Sequence, residues 1–454
     1  MRFELLSQNI SGQLITPGDS SYDNARRVYN ATIDKHPAAI LKCRSEQDVV
    51  QGILFASKNN LEISIRGGGH NGAGLSMCDN GLVIDLSEMN TVRVDSENKK
   101  ATVEGGCTIG DVDNATHKYG LALPVGIVST TGIGGLTLGG GLGYLSRKAG
   151  LSIDHLIEAR VALASGEIVV CNSEVNSDLF WALKGGGGNF GVVLSFTFSL
   201  IPMQTVFAGP MFWPFDKAEK MMKFYDRFLK EANNDLYGFF SLMNIPPSQP
   251  FPEHLHSKTV CAIVWCYSGP DKKVKDIFEP VRSFEAPIFE MMGEMTVPEL
   301  NGMFDAVYPP DMHWYWKAHY VAVLSDKAIE TDILFCSKLP SILSTMHLYP
   351  IDGKVHDIPS EDTAWVNRDV RWVKLIVGID PDPANKEKIT HWARQYYDAT
   401  IPFASQGAYV NFMMKEGEEN VKAAYGSNYA RLMLVKKKYD PDNFFHVNQN
   451  IKPV

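Results

Sequence analysis

Ile63-Ser64-Ile65-Arg66-Gly67-Gly68-Gly69-His70-Asn71-Gly72-Ala73-Gly74 is a short apolar strand that breaks into three glycines and runs straight into a histidine. Gly67, Gly68 and Gly69 can take positive backbone angles and let amide N–H groups approach a ligand closely, which makes an anion-binding nest suited to a pyrophosphate. His70 then stands beside whatever the nest holds. An isolated run of this kind serves equally well as a turn with a satisfied structural histidine behind it, so the rest of the chain must decide.

Glycine is concentrated around this run. Of the 38 glycines, 25 lie between Gly67 and Gly191, in clusters at 67–74, 132–143 and 185–191. The second cluster superficially suggests a dinucleotide fingerprint, with Asp154 about 20 residues on. A Rossmann glycine loop, however, follows a buried strand directly. This one follows Leu123-Pro124-Val125-Gly126-Ile127-Val128-Ser129-Thr130-Thr131, an irregular segment with a proline and polar residues. A dinucleotide remains a suitable ligand, held by another fold.

Taken together, the clusters resemble the flavoproteins of the p-cresol methylhydroxylase and vanillyl-alcohol oxidase type, and within them the berberine bridge enzyme-like oxidases, over nearly the whole chain. The segment 66–71 is similar to the one whose histidine bonds covalently to the 8α-methyl of FAD. Thr131–Gly143 resembles the second flavin loop, Asp178–Val193 the block lining the adenine and pyrophosphate end, and Tyr439–Pro453 the C-terminal signature that returns to the isoalloxazine.

The resemblance implies an α+β fold. A two-part PCMH-type FAD-binding domain would occupy residues 1–204, and a substrate-binding domain with an antiparallel sheet covered by helices residues 205–403. A C-terminal berberine-bridge-type segment, 404–454, would return to the first domain. It further implies that FAD is held by Arg66, Gly67, Gly68, Gly69, His70, Asn71 and Gly74 of the first loop. The second loop would contribute Ser129, Thr130, Thr131, Gly132, Gly134, Gly135, Gly139, Gly140 and Gly143. Asn189, Gly191, Val192 and Val193 would add to these from the third block, and Tyr409, Asn411, Asn448 and Asn450 from the C-terminal segment. Bicovalent members carry a cysteine where this chain has Val128, so one covalent bond, through His70, is expected and no cysteinyl flavin.

Composition agrees. A chain of 454 residues is too long for one ordinary core, and 45% hydrophobic with 21% charged residues is globular. The formal charge of −9 is spread along the chain, and the basic runs Lys99-Lys100 and Lys436–Lys438 are short. The second reads as the exposed face of a C-terminal helix, and nucleic acid is not expected as a partner. Seven cysteines with no CxxC spacing argue against a disulfide framework or a structural zinc site. Cys261 and Cys266 fall in a buried strand pattern. His254 and His256 lack a third ligand nearby, so no metal is expected. The N-terminus lacks the apolar core of a secretory signal and no stretch approaches a membrane span, which gives a cytoplasmic expectation without a membrane partner. A monomer or homodimer is expected.

Asp48–Ser57 has helical spacing after a Ser45 cap, Leu61–Ile65 and Gly81–Leu86 alternate as strands, and Thr91–Glu104 reads as a hairpin. From about residue 205 glycine becomes sparse. Amphipathic helices over Lys217–Phe228 and Lys272–Phe284 alternate with strands such as Val260–Tyr267, which predicts a second, mostly antiparallel sheet with helices on one face.

Candidate chemistry falls in three places. Tyr409-Val410-Asn411-Phe412 resembles the family's flavin-edge motif, with Phe412 where some members have a tyrosine acting as base; a phenylalanine cannot take a proton, so Tyr409 or a group from the substrate sheet is the expected substitute. By spacing from Arg368, Lys374 is expected over the substrate, within a one-residue slip, as a second candidate base whose pKa desolvation would lower; a solvated lysine at a sheet edge is the alternative. In His313-Trp314-Tyr315-Trp316, alternation sends the two tryptophans to one face and His313 with Tyr315 to the other, so only one pair can face the flavin. The implied activity is an FAD-dependent oxidase that takes a hydride from a C–H beside a hydroxyl or amine of a small molecule and is reoxidised by O2 to give H2O2. An oligosaccharide hemiacetal oxidase, a dehydrogenase using another acceptor, a flavin-binding protein without turnover and a nicotinamide-dependent reductase stand as alternatives.

Overall fold

The first helix of consequence runs from Glu46 to Lys58, and its start is set by a capping box in which the Ser45 hydroxyl accepts from the Asp48 amide. The Asp48 carboxylate in turn accepts from the amides of Ser11, Arg44 and Ser45. Val49, Ile53 and Ala56, spaced three and four apart, bury one face of this helix on a four-stranded sheet. The computed structural model describes residues 3–454, so Met1 and Arg2 of the N-terminal segment lie outside the description.

That sheet is ordered Gln13–Ile15, Ala39–Lys42, Leu82–Asp85, Ile63–Arg66. Its last three strands are parallel. Leu82–Asp85 is buried at every position rather than alternating, because a central parallel strand is covered on both sides. Leu82 and Ile84 face the helix, and Val83 faces a second cluster with Val28 and Met77.

An antiparallel sheet of five strands follows, ordered Val92–Asp95, Lys100–Glu104, Val192–Ser199, Leu156–Ala162, Ile168–Asn172. Its first two strands form the expected hairpin. The C-terminal residues Val410, Met413, Val421, Leu432 and Ile451 share a core with this part of the chain, so the end of the sequence packs against its first half.

The third sheet has eight strands, all pairing antiparallel. Its path runs Phe289–Glu290, Thr205–Pro214, Thr259–Tyr267, Leu236–Asn244, Thr345–Pro350, Trp372–Asp380, His313–Val321, with Gly293–Thr296 also on Thr205–Pro214. Helices Ala218–Glu231, Val274–Phe284, Asp326–Cys336 and Lys386–Thr400 cover one face. The other face looks toward the glycine loops. Strand parity assigns residues to faces: Trp372 and Ile376 belong to the helix side, and Val373, Leu375, Val377 and Ile379 to the opposite side.

One sequence expectation is corrected here. Lys436 is not on an exposed helix face; it is fully buried, and its ammonium donates to the carbonyls of Asn189 (2.7 Å) and Phe445 (2.9 Å) and pairs with Asp440 at 2.6 Å. Lys437 and Lys438 are exposed as expected. No helix among the described residues is long and apolar enough to cross a membrane.

Candidate active site

The strand Ile63–Arg66 delivers the glycine run to the floor of a cavity of about 680 Å³ that lies between the glycine loops and the bare face of the eight-stranded sheet. Only one of the three glycines, Gly69, takes a left-handed angle, φ +70°. Gly68 is needed for another reason. A β-carbon there would lie 2.3 Å from the Gly132 nitrogen, so the first and second loops touch backbone to backbone. Gly72 makes room in the same way for the sheet above, where a β-carbon would lie 2.2 Å from the Trp316 ring.

His70 is held at this junction. Nε2 lies 3.0 Å from the Thr130 hydroxyl and Nδ1 3.4 Å from that of Thr131, while the ring stacks on Tyr29 at 3.9 Å between centroids. Burial pushes its pKa down to about 4, so the imidazole is neutral near pH 7.

The cavity brings together most of the predicted set. Gly67, Gly68, Gly69, His70 and Asn71 line it from the first loop, and Val128, Thr131, Gly132, Gly134, Gly135 and Gly139 from the second. Gly191, Val192, Val193, Tyr409, Asn411 and Asn448 complete the lining among the predicted residues. Trp314 and Trp316 face it, while Tyr315 points away to Arg394.

Several expected ligand residues serve the loops themselves. Arg66 turns its guanidinium away from the cavity, onto Asp85 and the Ala25 carbonyl. Gly74 is a turn residue, φ +66°, packed on Ile33, and Gly143 is pressed against the Val125 carbonyl. Gly140 (φ +134°) sits under the Tyr409 ring. Ser129 bonds Asp305 through its hydroxyl and its amide, tying the second loop to the segment that follows the helix Val297–Gly302. Asn189 is fully buried and joins the third loop to the C-terminus by donating to Gly186 and Gln449 carbonyls and accepting from the Ile451 amide. Asn450 does not line the cavity; Gln449 does, donating to the Met413 and Met414 carbonyls.

Of the two candidate bases, only Tyr409 lies at the cavity. Lys374 is 1% exposed and sits on the helix side of its strand, with its ammonium 2.6 and 2.7 Å from the two oxygens of Asp332. Tyr396 donates to the same carboxylate at 2.7 Å. Leu375, its neighbour, is the residue that faces the cavity. Tyr409 does line the cavity, but its hydroxyl oxygen accepts from the Gly141 amide (2.8 Å), the Leu142 amide (3.2 Å) and the Asn411 amide (3.1 Å). Its lone pairs are occupied, and the phenol clamps the second loop.

Sequence reading missed Tyr29, Ser76, Gln449 and the roof residues Ser241, His347 and Tyr349. For the last two a signal existed: in Thr345-Met346-His347-Leu348-Tyr349 polar groups alternate with apolar ones at the period of a strand.

Among the described residues that line the cavity there is no Asp, Glu, Lys or Arg. Anionic groups can therefore be met only by backbone N–H and neutral donors. Buried polar atoms without partners collect at its wall: Ser76 Oγ, Trp314 Nε1, Trp316 Nε1 and Asn448 Oδ1. Unpaired groups in such numbers at one cavity suit a large ligand with many polar atoms. β-Carbons at Gly135 and Gly188 would meet no atom within 4 Å, so these glycines leave open space in the cradle.

Comparison with known proteins agrees with this geometry. The family model for an FAD binding domain matches residues 37–172, and the one for berberine and berberine-like proteins residues 408–452. An FAD-linked oxidoreductase of Dictyostelium discoideum is 31% identical, covering 98% of this chain and 96% of its own. The (R)-6-hydroxynicotine oxidase of Paenarthrobacter nicotinovorans is 28% identical over 98% of this chain and 97% of its own. The crystal structure of 6-hydroxy-D-nicotine oxidase from Arthrobacter nicotinovorans superposes with a TM-score of 0.88 at 25% identity, covering 98% of both chains.

Proposed function

Since the chain belongs to the berberine-like FAD-linked oxidoreductases, we propose that it is an oxidase that removes a hydride from a C–H beside a hydroxyl or amine of an uncharged small molecule, with FAD bonded covalently to His70. In this reading residues 1–204 and 404–454 hold the cofactor, and residues 205–403 roof the substrate.

One observation carries the reading: a neutral, hydroxyl-bracketed imidazole at the meeting point of two glycine loops, facing a cavity with no charged side chain. The glycine backbones of the first three loops, with Asn448, would hold the dinucleotide. Bound FAD supplies a two-electron acceptor for hydride. The chain's own contribution is to orient and to exclude water. Tyr409 and Asn411 fix the second loop, since Asn411 donates to both the Leu136 carbonyl and Tyr409. Trp314, Trp316, Phe239, Leu375 and Val377 line the roof of the cavity and would exclude water from it. A neutral imidazole is the nucleophilic form of histidine, which supports a covalent bond at His70 and no second bond, since Val128 faces the cavity in place of a thiol.

The lining also bears on the substrate. An uncharged roof has no partner for a carboxylate or phosphate, and the cost of burying such a group unpaired favours neutral alcohols and amines. The amine side of this proposal draws support from the relative named for 6-hydroxynicotine. Reoxidation by dioxygen with release of peroxide completes the proposed cycle.

The test is acid precipitation of the purified protein, followed by mass analysis of the peptide bearing His70. Yellow colour in the pellet with a flavin adduct on His70, and peroxide release from a panel of neutral alcohols, amines and oligosaccharide hemiacetals, is the expected result. Flavin left wholly in the supernatant overturns the covalent bond. Substrate-dependent bleaching without peroxide points to a dehydrogenase.

A further inference from the structure

The reaction proposed above needs a group that takes a proton from the substrate heteroatom, and the cavity offers few. Lys374 lies on the other face of the sheet, and among the described residues no carboxylate or ammonium lines the cavity. Among its phenols, those of Tyr29, Tyr308, Tyr349, Tyr409 and Tyr425, only that of Tyr349 is hydrogen-bonded to a second titratable side chain. Tyr29 donates to the Tyr308 carbonyl, Tyr425 donates to the Gly186 carbonyl, and Tyr409 is saturated by N–H donors. His70 is assigned to the flavin.

His347 and Tyr349 differ. Both stand on the strand Thr345–Pro350 two residues apart, hence on the same face, and Nδ1 of His347 lies 2.6 Å from the Tyr349 hydroxyl. Both line the cavity. His347 is in register with Ser241 on one side and Leu375 on the other, which also face the cavity, so the pair sits in the middle of the roof. The Tyr349 ring packs at 5.8 Å on Phe412, and Phe412 packs edge-on at 4.9 Å on Tyr409, the residue that clamps the second glycine loop. Tyr349 is thus one ring removed from the residue that holds that loop.

Resting on the oxidase reading, we propose that Tyr349 and His347 form the proton-accepting pair of this enzyme. The substrate O–H or N–H bond breaks and its proton goes to Tyr349 Oη. The Tyr349 O–H proton passes to His347 Nδ1, leaving an imidazolium and a neutral phenol. The carbon–heteroatom double bond forms as hydride, carrying both electrons, leaves for the FAD. Tyr349 is the catalytic residue and His347 a positioning residue that acts through it.

Burial lowers the His347 imidazole to about 3, so it is neutral in the resting protein; the same burial opposes the imidazolium, which forms only in concert with hydride loss from the substrate. The titratable groups facing the pair are the phenols of Tyr144, Tyr237 and Tyr308, none of them charged near neutral pH. Phe239 packs on both rings, at 5.2 Å from His347 and 5.0 Å from Tyr349, which holds their orientation.

Two measurements on the FAD-loaded protein test the pair. In 15N-histidine NMR, with the His347 signal assigned from its loss in His347→Gln, the resonance should report protonation at Nε2 and a hydrogen-bonded, unprotonated Nδ1, and should move in Tyr349→Phe. With the compound from the panel that bleaches the flavin fastest, Tyr349→Phe and His347→Gln should lower the limiting rate of anaerobic bleaching by about a hundredfold or more, with apparent substrate affinity changed less than threefold. Retained flavin and thermal midpoint establish that the variants are folded. A protonated Nδ1, or a folded Tyr349→Phe that bleaches at the wild-type rate, overturns the pair. If no compound bleaches the flavin, the oxidase reading fails, and the resonance still decides the pair.

Discussion

Gly68 and Gly132 meet backbone to backbone. A β-carbon on the first would lie 2.3 Å from the nitrogen of the second, and a β-carbon on the second 2.2 Å from the nitrogen of the first. Neither obstacle is a flexible side chain, so the clash cannot be relieved without moving a loop. Gly68→Ala and Gly132→Ala should each cost about 1–3 kcal/mol or more of stability and lose most of the bound flavin. Gly293→Ala, whose β-carbon meets nothing within 4 Å, is the comparison. The ratio of visible to ultraviolet absorbance after purification reads the effect; an unchanged ratio in Gly68→Ala would refute it.

The Lys374–Asp332 pair behind the roof is a structural prediction. Removing the ammonium leaves a fully buried carboxylate with Tyr396 as its remaining donor. Lys374→Met should cost about 3–5 kcal/mol, and adding Asp332→Leu should return much of it, because an apolar pair carries no desolvation penalty. Urea midpoints measure both. A wild-type midpoint in Lys374→Met would show that the carboxylate is not held as described.

Asp113 offers a pH-dependent test. It is 1% exposed, accepts from the Asn301 amide at 2.7 Å, and its second oxygen has no partner; burial pushes its pKa up to about 7. The unfolded value is 3.8. Between these values the folded state binds more protons than the unfolded one, so stability falls as pH rises from about 4 through 7. Asp113→Asn should therefore stabilise the protein at pH 8 by on the order of 1–4 kcal/mol and change it little at pH 4. A gain of equal size at both pH values would contradict the assignment.

His319 gives the opposite sense. Burial, and then the nearby Lys374 charge, lower it to about 3 from 6.5. The unfolded state is the one that binds the proton between those values, so the stability it contributes is complete above about pH 6.5 and is lost as pH falls toward 3. The thermal midpoint of His319→Gln should fall less steeply over that window than that of the wild type. Parallel curves would rule His319 out as the source.

The glycine loops, the Ser45 cap and the placing of Trp314 and Trp316 on one strand face could be read from sequence because each leaves a local mark, either a residue type or a period; which face meets the cavity could not. The facing of Lys374 left none. Every residue of Trp372–Asp380 is buried, so the strand shows no polar alternation from which its phase can be taken, and a one-residue slip exchanges the two faces. The side-chain partners of Arg66 and Asn189 were hidden for a related reason: a polar residue in a glycine loop can serve the ligand or the loop, and only the fold reveals that Asp85 and Ile451 engage them. Tyr29 sits 41 positions before His70, and no local pattern links the two.

The two-faced roof has a consequence for how such an enzyme can diversify. Along Trp372–Asp380 the residues that carry the scaffold and those that touch the cavity are interleaved, yet the plane of the sheet separates them. Changes at Leu375, Val377 or Ile379 can recontour the chamber while Trp372, Lys374 and Ile376 keep their anchorage on the helices. Selection can thus re-upholster the ceiling one alternate position at a time without touching the rafters.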